Sequence, residues 1–426
     1  MARMGDFERN IGAFTPFSLN APSFATIQIN NGTLPSTSVN LHGKMKHDQP
    51  LPLPASLIER MDATPQNPRY HREGSVLAHT QYVVRQCIEM QSRFELDDDE
   101  RQILYWAAVL HDIGKTVATV WQDNRWRSPG HEKAGVPFAL DILLQHTEIS
   151  ANNRRRILDL VRWHGFPLKF SQWQQSLDEL KLLGTRTDLR LLAIFGLFDF
   201  YGRDCDDRVD VLARMHYFQE TSVPQAEFEF GKFNILQETF ESWNLRHKNA
   251  VWNAVKMKDV RLLEKLVQAK QTDTQQTRGQ KATLVIGPPR AGKSTWIAQE
   301  YPDQFTIHLG EHGIDDTLAN NAYLQGRKMV EIKHLLRVYL NRHQHLIIET
   351  RPIQEMIRRQ LAEILRDMPV EVNYDVVETG LEELKQRNVE SGVEMAEQTL
   401  TNAYHSVELI HPWEAHQTRY INGGNK

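Results

Sequence analysis

Between residues 76 and 90, Val76, Val83, Cys87 and Met90 recur at helical spacing, and His79 falls on the same apolar face. Residues 100–110 are apolar nearly all round, which predicts a helix buried on every side; it ends in His111 and Asp112. Residues 191–204 predict a second such helix, with Asp199 embedded in it and Gly202 and Arg203 just behind. Residues 225–267 keep three-and-four apolar recurrences, and residues 268–280 lose all periodicity and predict a linker. The pattern then changes. Short apolar runs at 284–286, 305–308, 345–348 and 370–377 alternate with helical segments at 295–300, 322–340, 353–366 and 381–388. Such alternation predicts a mostly parallel sheet covered on both faces. At the other end, residues 10–43 contain no Asp, Glu, Lys or Arg, and Asn31-Gly32 suits a hairpin turn. With Pro50, Pro52 and Pro54 following, this stretch reads as an accessory arm.

Composition narrows the class. The 426 residues are 40% hydrophobic and 24% charged, as expected of a soluble protein with two or three domains. Two cysteines, Cys87 and Cys205, exclude a disulfide framework and suit a reducing cytoplasm. No apolar run is long enough to span a bilayer, and the first residues lack a signal-peptide core, so no membrane partner is expected. A net charge of −4 argues against a globally basic nucleic-acid binder but leaves room for a local basic channel.

The helical half carries metal chemistry. A lone histidine on an apolar face is ordinarily a satisfied core residue. Here His79, His111, His131 and His164, with Asp112 and Asp199, each lie at an apolar helix or just beyond one. A carboxylate at the end of a buried helix is costly unless a cation meets it. Mixed imidazole and carboxylate ligands suit Mn²⁺, Fe²⁺, Co²⁺, Ni²⁺ or Zn²⁺ better than Ca²⁺. The implied reaction is hydrolysis, with Lys115 placed to neutralise a phosphate and Gly114 leaving room for it. His71 has no settled role, and the run Arg154-Arg155-Arg156 reads as a solvated helix face.

The C-terminal half carries phosphate chemistry. Residues 287–294 read G-x-x-x-x-G-K-S between an apolar strand and a helix, the context a phosphate loop requires. Gly287 and Gly292 let the backbone curl so that its N–H groups, with Arg290, Ala291 and Thr295 alongside, surround an ATP phosphate. Lys293 adds a point charge at the helix start, and Ser294 offers a hydroxyl to Mg²⁺.

Two resemblances follow from these residues. His79, His111-Asp112-Ile-Gly-Lys115, His131, His164 and Asp199 resemble the HD-domain phosphohydrolase pattern over roughly residues 58–215, and the segments at 61–80 and 128–135 are similar to the HD module of bacterial tRNA nucleotidyltransferases. The resemblance implies that His79, His111, Asp112 and Asp199 hold one metal and that His131 and His164 hold a second. Residues 282–392, with GPPRAGKSTW, LIIETRP and ELKQRN, are similar to phage-type polynucleotide 5′-kinases. That likeness implies a phosphate-proximal carboxylate at Glu349, a lid arginine at Arg387 and an acceptor-side base, for which Glu311 is the first carboxylate after the second strand. Asp315 and Asp316 are the other carboxylates available there.

The expected architecture is therefore multidomain, an all-α HD bundle followed by an α/β P-loop kinase. Residues 1–55 form the arm, 56–220 the HD phosphohydrolase domain, 221–267 a helical connector, 268–280 the linker and 281–426 the kinase domain. The whole resembles bacterial fusions that heal nucleic-acid ends. Such an enzyme removes 2′,3′-cyclic or 2′/3′ phosphates with a transition metal, phosphorylates 5′-hydroxyls with ATP and Mg²⁺, and acts on RNA or DNA ends ahead of a ligase. Arg351, Arg358 and Arg359 around a strand-end loop favour a polyanionic acceptor. Two alternatives stay open: a nucleotidase joined to a nucleoside kinase, and an ATP-binding regulatory switch with a non-catalytic bundle.

Overall fold

The computed structural model describes residues 51–146, 148–173, 176–230, 245–268, 279–312, 322–351, 354–368, 370–393 and 395–423. The arm, its Asn31-Gly32 turn, Asp315, Asp316 and most of the expected linker lie outside these residues.

The first half is a helical bundle. Its helices are α1 (Ala55–Ala63), α2 (Val76–Met90), α3 (Asp98–Leu110), the single turn α4 (Lys115–Ala118), α5 (His131–Leu143), α6 (Ala151–Trp163), α7 (Phe166–Trp173), α8 (Leu177–Gly184), α9 (Leu189–Tyr201), α10 (Arg208–Tyr217) and α11 (Val223–Phe230). Side-chain caps start several of them. Ser75 accepts from Ala78 N–H to open α2, Asp97 and Glu100 form a reciprocal box on α3, and Asp188 accepts from Leu191 N–H on α9. As their composition dictates, α3 and α9 are enclosed: every residue from Ile103 to Leu110 is buried, as is every residue from Leu191 to Phe200. The bundle is not purely helical. Strands β1 (Val120–Gln122) and β2 (Arg125–Arg127) form an antiparallel hairpin between α4 and α5. Asp123 and Asn124 turn it with positive φ, a conformation those residues tolerate.

Two connector helices, α12 (Leu245–Met257) and α13 (Val260–Gln268), lead to a five-stranded sheet. The elements that follow are β3 (Gln280–Ile286), α14 (Lys293–Glu300), β4 (Phe305–His308), α15 (Ala322–Leu340), β5 (His345–Thr350), α16 (Glu355–Arg366), β6 (Val370–Glu378), α17 (Leu381–Glu390), α18 (Glu397–His405) and β7 (Gln417–Asn422). The strand order is β4-β5-β3-β6-β7 and every pairing is parallel. Strand β7 carries too few consecutive apolar residues to stand out from its sequence. Both faces are covered. Leu284 and Ile286 pack with Ile332, Leu336, Ile357 and Leu361 on one side, while Val285 packs with Leu384, Leu400 and Tyr404 on the other.

The bundle and the sheet module meet over an extensive junction, and here two sequence expectations are corrected. Arg154 and Arg155 are buried rather than solvated: Arg154 donates to Glu378 Oε2 at 2.8 Å, and Arg155 pairs with Asp159 at 2.9 Å beside His411. A charged run predicts solvent only when no other element covers that face. Arg358 likewise does not face an acceptor. It is fully buried, bonded to Glu414 Oε2 at 3.0 Å and to the carbonyls of Glu408 and Leu409 at 3.1 and 2.8 Å. Arg359 lies over the Trp252 ring, which itself meets Trp413 edge-on at 4.8 Å. The indole of Trp413 then donates to the carbonyl of Thr185 at 3.2 Å, tying the connector, the sheet module and the bundle together.

Candidate functional site

The buried end of α3 delivers His111 and Asp112 to a point where α2, α5, α6 and α9 converge. Asp112 sits between two sets of side chains. Its Oδ2 faces His111 Nε2 at 3.2 Å and His79 Nε2 at 3.5 Å, and His79 Nε2 is 3.0 Å from Asp199 Oδ1. Its Oδ1 faces His131 Nε2 at 3.4 Å and His164 Nε2 at 3.5 Å, and those two nitrogens are 3.2 Å apart. Thus His79, His111 and Asp199 form one group that can hold an ion, and Asp112, His131 and His164 form another.

The second ring nitrogens decide the chemistry. His111 Nδ1 bonds the Ala108 carbonyl at 3.1 Å, His131 Nδ1 that of Ser128 at 2.7 Å, and His164 Nδ1 that of Val161 at 2.8 Å. His79 Nδ1 lies 2.9 Å from Glu73 Oε1. A backbone carbonyl can only accept, so in His111, His131 and His164 Nδ1 carries the proton and Nε2 presents a lone pair inward. Two lone pairs facing each other at 3.2 Å call for a cation between them. Moreover, His111 Nε2 and Asp112 Oδ1 are buried with no hydrogen-bond partner among the described residues. The donor set therefore fits divalent metal.

Surrounding groups hold the charges. Burial opposes ionisation of Asp112, but Lys115 and His111 keep its carboxyl well below the usual range. For Asp199 burial is overridden by Arg203, whose Nε is 3.2 Å from Oδ1, and by His79. Lys115 Nζ lies 2.7 Å from Asp112 Oδ2 and donates to Gln66 Oε1 at 2.7 Å. His71, unassigned from sequence, is pushed down to about 3 by burial and by the Lys115 charge; it bonds Glu73 at 2.8 Å. Sequence reasoning missed Glu73, whose signal was its position two residues beyond a histidine. It also missed Glu132, at 2.5 Å from Lys169 Nζ.

At the C-terminal ends of the parallel strands lies the other cluster. Gly292 enters α14 with φ +98°, and Arg290 also takes positive φ at +67°. Lys293 is buried and donates to the carbonyls of Gly287 and Pro288, both at 3.0 Å. Ser294 Oγ donates to Glu349 Oε1 at 3.0 Å, and His308 Nδ1 bonds the same carboxylate at 2.7 Å. Arg387 on α17 donates to Ala291 O at 3.2 Å and Gly423 O at 2.5 Å. Arg290, Gly292, Lys293, Ser294, Thr295, Glu311, Glu349, Arg351 and Arg387 line one cavity of about 810 Å³. Gly287 and Ala291 are buried in the same loop and do not line it. Glu311 is exposed in the short turn Leu309–His312. His308, which no motif had flagged, joins them because β4 ends beside β5.

Comparison with known proteins bears on the first of these clusters. Residues 76–195 match the HD domain family model, a span that contains His79, His111, Asp112, Lys115, His131 and His164. A 131-residue stretch is 32% identical to the Multifunctional CCA protein of Methylococcus capsulatus (strain ATCC 33009 / NCIMB 11132 / Bath), covering 30% of this chain and 28% of that protein.

Proposed function

We propose that the chain is a bifunctional nucleic-acid end-healing enzyme. One centre hydrolyses 2′,3′-cyclic or 2′/3′-phosphate ends, and the other transfers phosphate from ATP to a 5′-hydroxyl. The observation that carries the hydrolytic half is the Asp112 carboxylate shared between two histidine pairs, with His111, His131 and His164 each held by an Nδ1 bond to a backbone carbonyl. His79, His111, Asp112 and Asp199 would hold one ion, and Asp112, His131 and His164 a second. Bound divalent metal of the Mn²⁺, Fe²⁺, Co²⁺ or Ni²⁺ kind supplies a water of lowered pKa and a Lewis acid for a phosphoryl oxygen. Lys115 brings a positive charge to the substrate phosphate, held in reach by Gln66. Arg203 keeps Asp199 ionised and aimed.

The transfer half rests on Lys293, Ser294, Glu349 and Arg387 sharing one cavity. Lys293 meets the β/γ-phosphates at the N-terminus of α14, where helix dipole and free N–H groups favour anions. Ser294 and Glu349 would hold Mg²⁺. Arg387 spreads its planar fork over the transferred phosphoryl, which carries charge on three oxygens in a loose transition state. Glu311 takes the proton from the attacking hydroxyl. The same RNA break leaves a cyclic phosphate on one side and a 5′-hydroxyl on the other, so the two centres serve one substrate, and a ligase is the expected successor.

An RNA bearing both ends, incubated with ATP and Mn²⁺ or Ni²⁺, tests this directly. His111→Ala or Asp112→Ala should abolish 3′-end processing and spare 5′ phosphorylation, and Lys293→Ala should do the reverse. Loss of both activities in a folded single variant would refute the two-centre reading.

A further inference from the structure

Helix α17, which carries Arg387, begins without a cap of its own. The residue before it is Gly380, extended at φ −64° and ψ 153° but with no side chain to accept from the first turn. The acceptor comes from the other half of the molecule. Asp141, near the end of α5 in the bundle, takes the Leu381 N–H on its Oδ1 at 2.8 Å. A Cβ on Gly380 would stand 3.0 Å from that same oxygen, so the glycine makes room for the foreign carboxylate. Tyr404 of α18 also points its hydroxyl at Asp141 Oδ1, at 3.5 Å, and Phe138 packs on His405 at 4.9 Å. A carboxylate at a helix start satisfies an orphan N–H and complements the dipole.

We propose that Asp141 is a positioning residue for phosphoryl transfer: it caps α17 from the HD bundle and so fixes where Arg387 sits over the Gly287–Ser294 loop. This rests on the transfer reading above. The cap acts two turns from Arg387, whose fork spans Glu383, Ala291 and Gly423, so fraying at Leu381 loosens Glu383 first and the arginine next. The same helix α5 starts with His131 of the metal cluster. The kinase half is thus expected to need the bundle as a scaffold.

Three variants decide it. In Asp141→Ala, backbone amides of residues 381–390 should exchange with deuterium about tenfold faster, the usual scale of a lost cap. Asp141→Asn keeps an oxygen acceptor and should stay near wild type. Asp141→Ala combined with Gly380→Asp places a cap on the helix itself and should restore slow exchange. Phosphoryl transfer should follow the same order, with kcat falling in the alanine variant and KM for ATP nearly unchanged. Unchanged exchange in Asp141→Ala would overturn the proposal, as would failure of Gly380→Asp to rescue it. If the wild-type chain transfers no phosphate, the kinase reading fails, while the exchange measurements still settle the cap.

Discussion

Gly114→Ala tests the metal centre through sterics alone. Gly114 has φ −67° and ψ −18°, which any residue adopts, so its requirement is space. A Cβ there would fall 2.1 Å from the His131 carbonyl oxygen and 2.5 Å from Gly135 N, both backbone atoms of α5. Ordinary contact needs at least about 3.3 Å, so the start of α5 must retreat by roughly 1 Å. His131 opens that helix, and its Nε2 is 3.4 Å from Asp112 Oδ1 and 3.2 Å from His164 Nε2. A displacement of that size takes it out of ligand range, and misplacement by about 1 Å commonly costs ~10²-fold in rate. Overpacking between two helices adds a stability cost of about 1–3 kcal/mol. Metal content by mass spectrometry, a thermal melt and hydrolysis of a 3′-end substrate read the three effects. The second ion should be lost before the first, because His131 opens α5 whereas His79, His111 and Asp199 come from α2, the end of α3 and α9. A Gly114→Ala protein with wild-type metal content and hydrolysis would refute the shared-carboxylate geometry.

Arg387→Lys keeps the charge but loses the fork that spans Ala291 and Gly423, so kcat for phosphoryl transfer should drop far more than ATP affinity; equal turnover would remove Arg387 from the reaction. Glu311→Gln should lower transfer by about 10²–10⁴-fold while ATP still binds, as measured by nucleotide titration beside end-labelling. If Glu311→Gln stays active and Asp315→Asn does not, the base lies further along the loop. Burial pushes the Cys87 thiol up to about 12, so it stays protonated around neutral pH. Iodoacetamide at pH 8 should therefore modify Cys87 only after unfolding, and rapid alkylation of the native protein would show that α2 opens.

Sequence alone determined the local chemistry. The all-round apolarity of α3 and α9 requires their burial, so His111, Asp112 and Asp199 had to lie inside the protein. The glycine spacing before Lys293 and the alternation of strands and helices likewise set a glycine-framed loop at one end of a parallel sheet. These features are encoded by neighbours in the chain, where residue spacing translates directly into geometry. Tertiary structure alone decided which distant surfaces met. That Asp112 turns one oxygen to His79 and His111 and the other to His131 and His164 depends on five helices converging. The burial of Arg154, Arg155 and Arg358 depends on what covers them, because a charged helix position is solvated or paired according to the opposing element. Strand β7 and the Asp141 cap belong to the same class: each is completed by a partner far along the chain, and no local pattern names that partner.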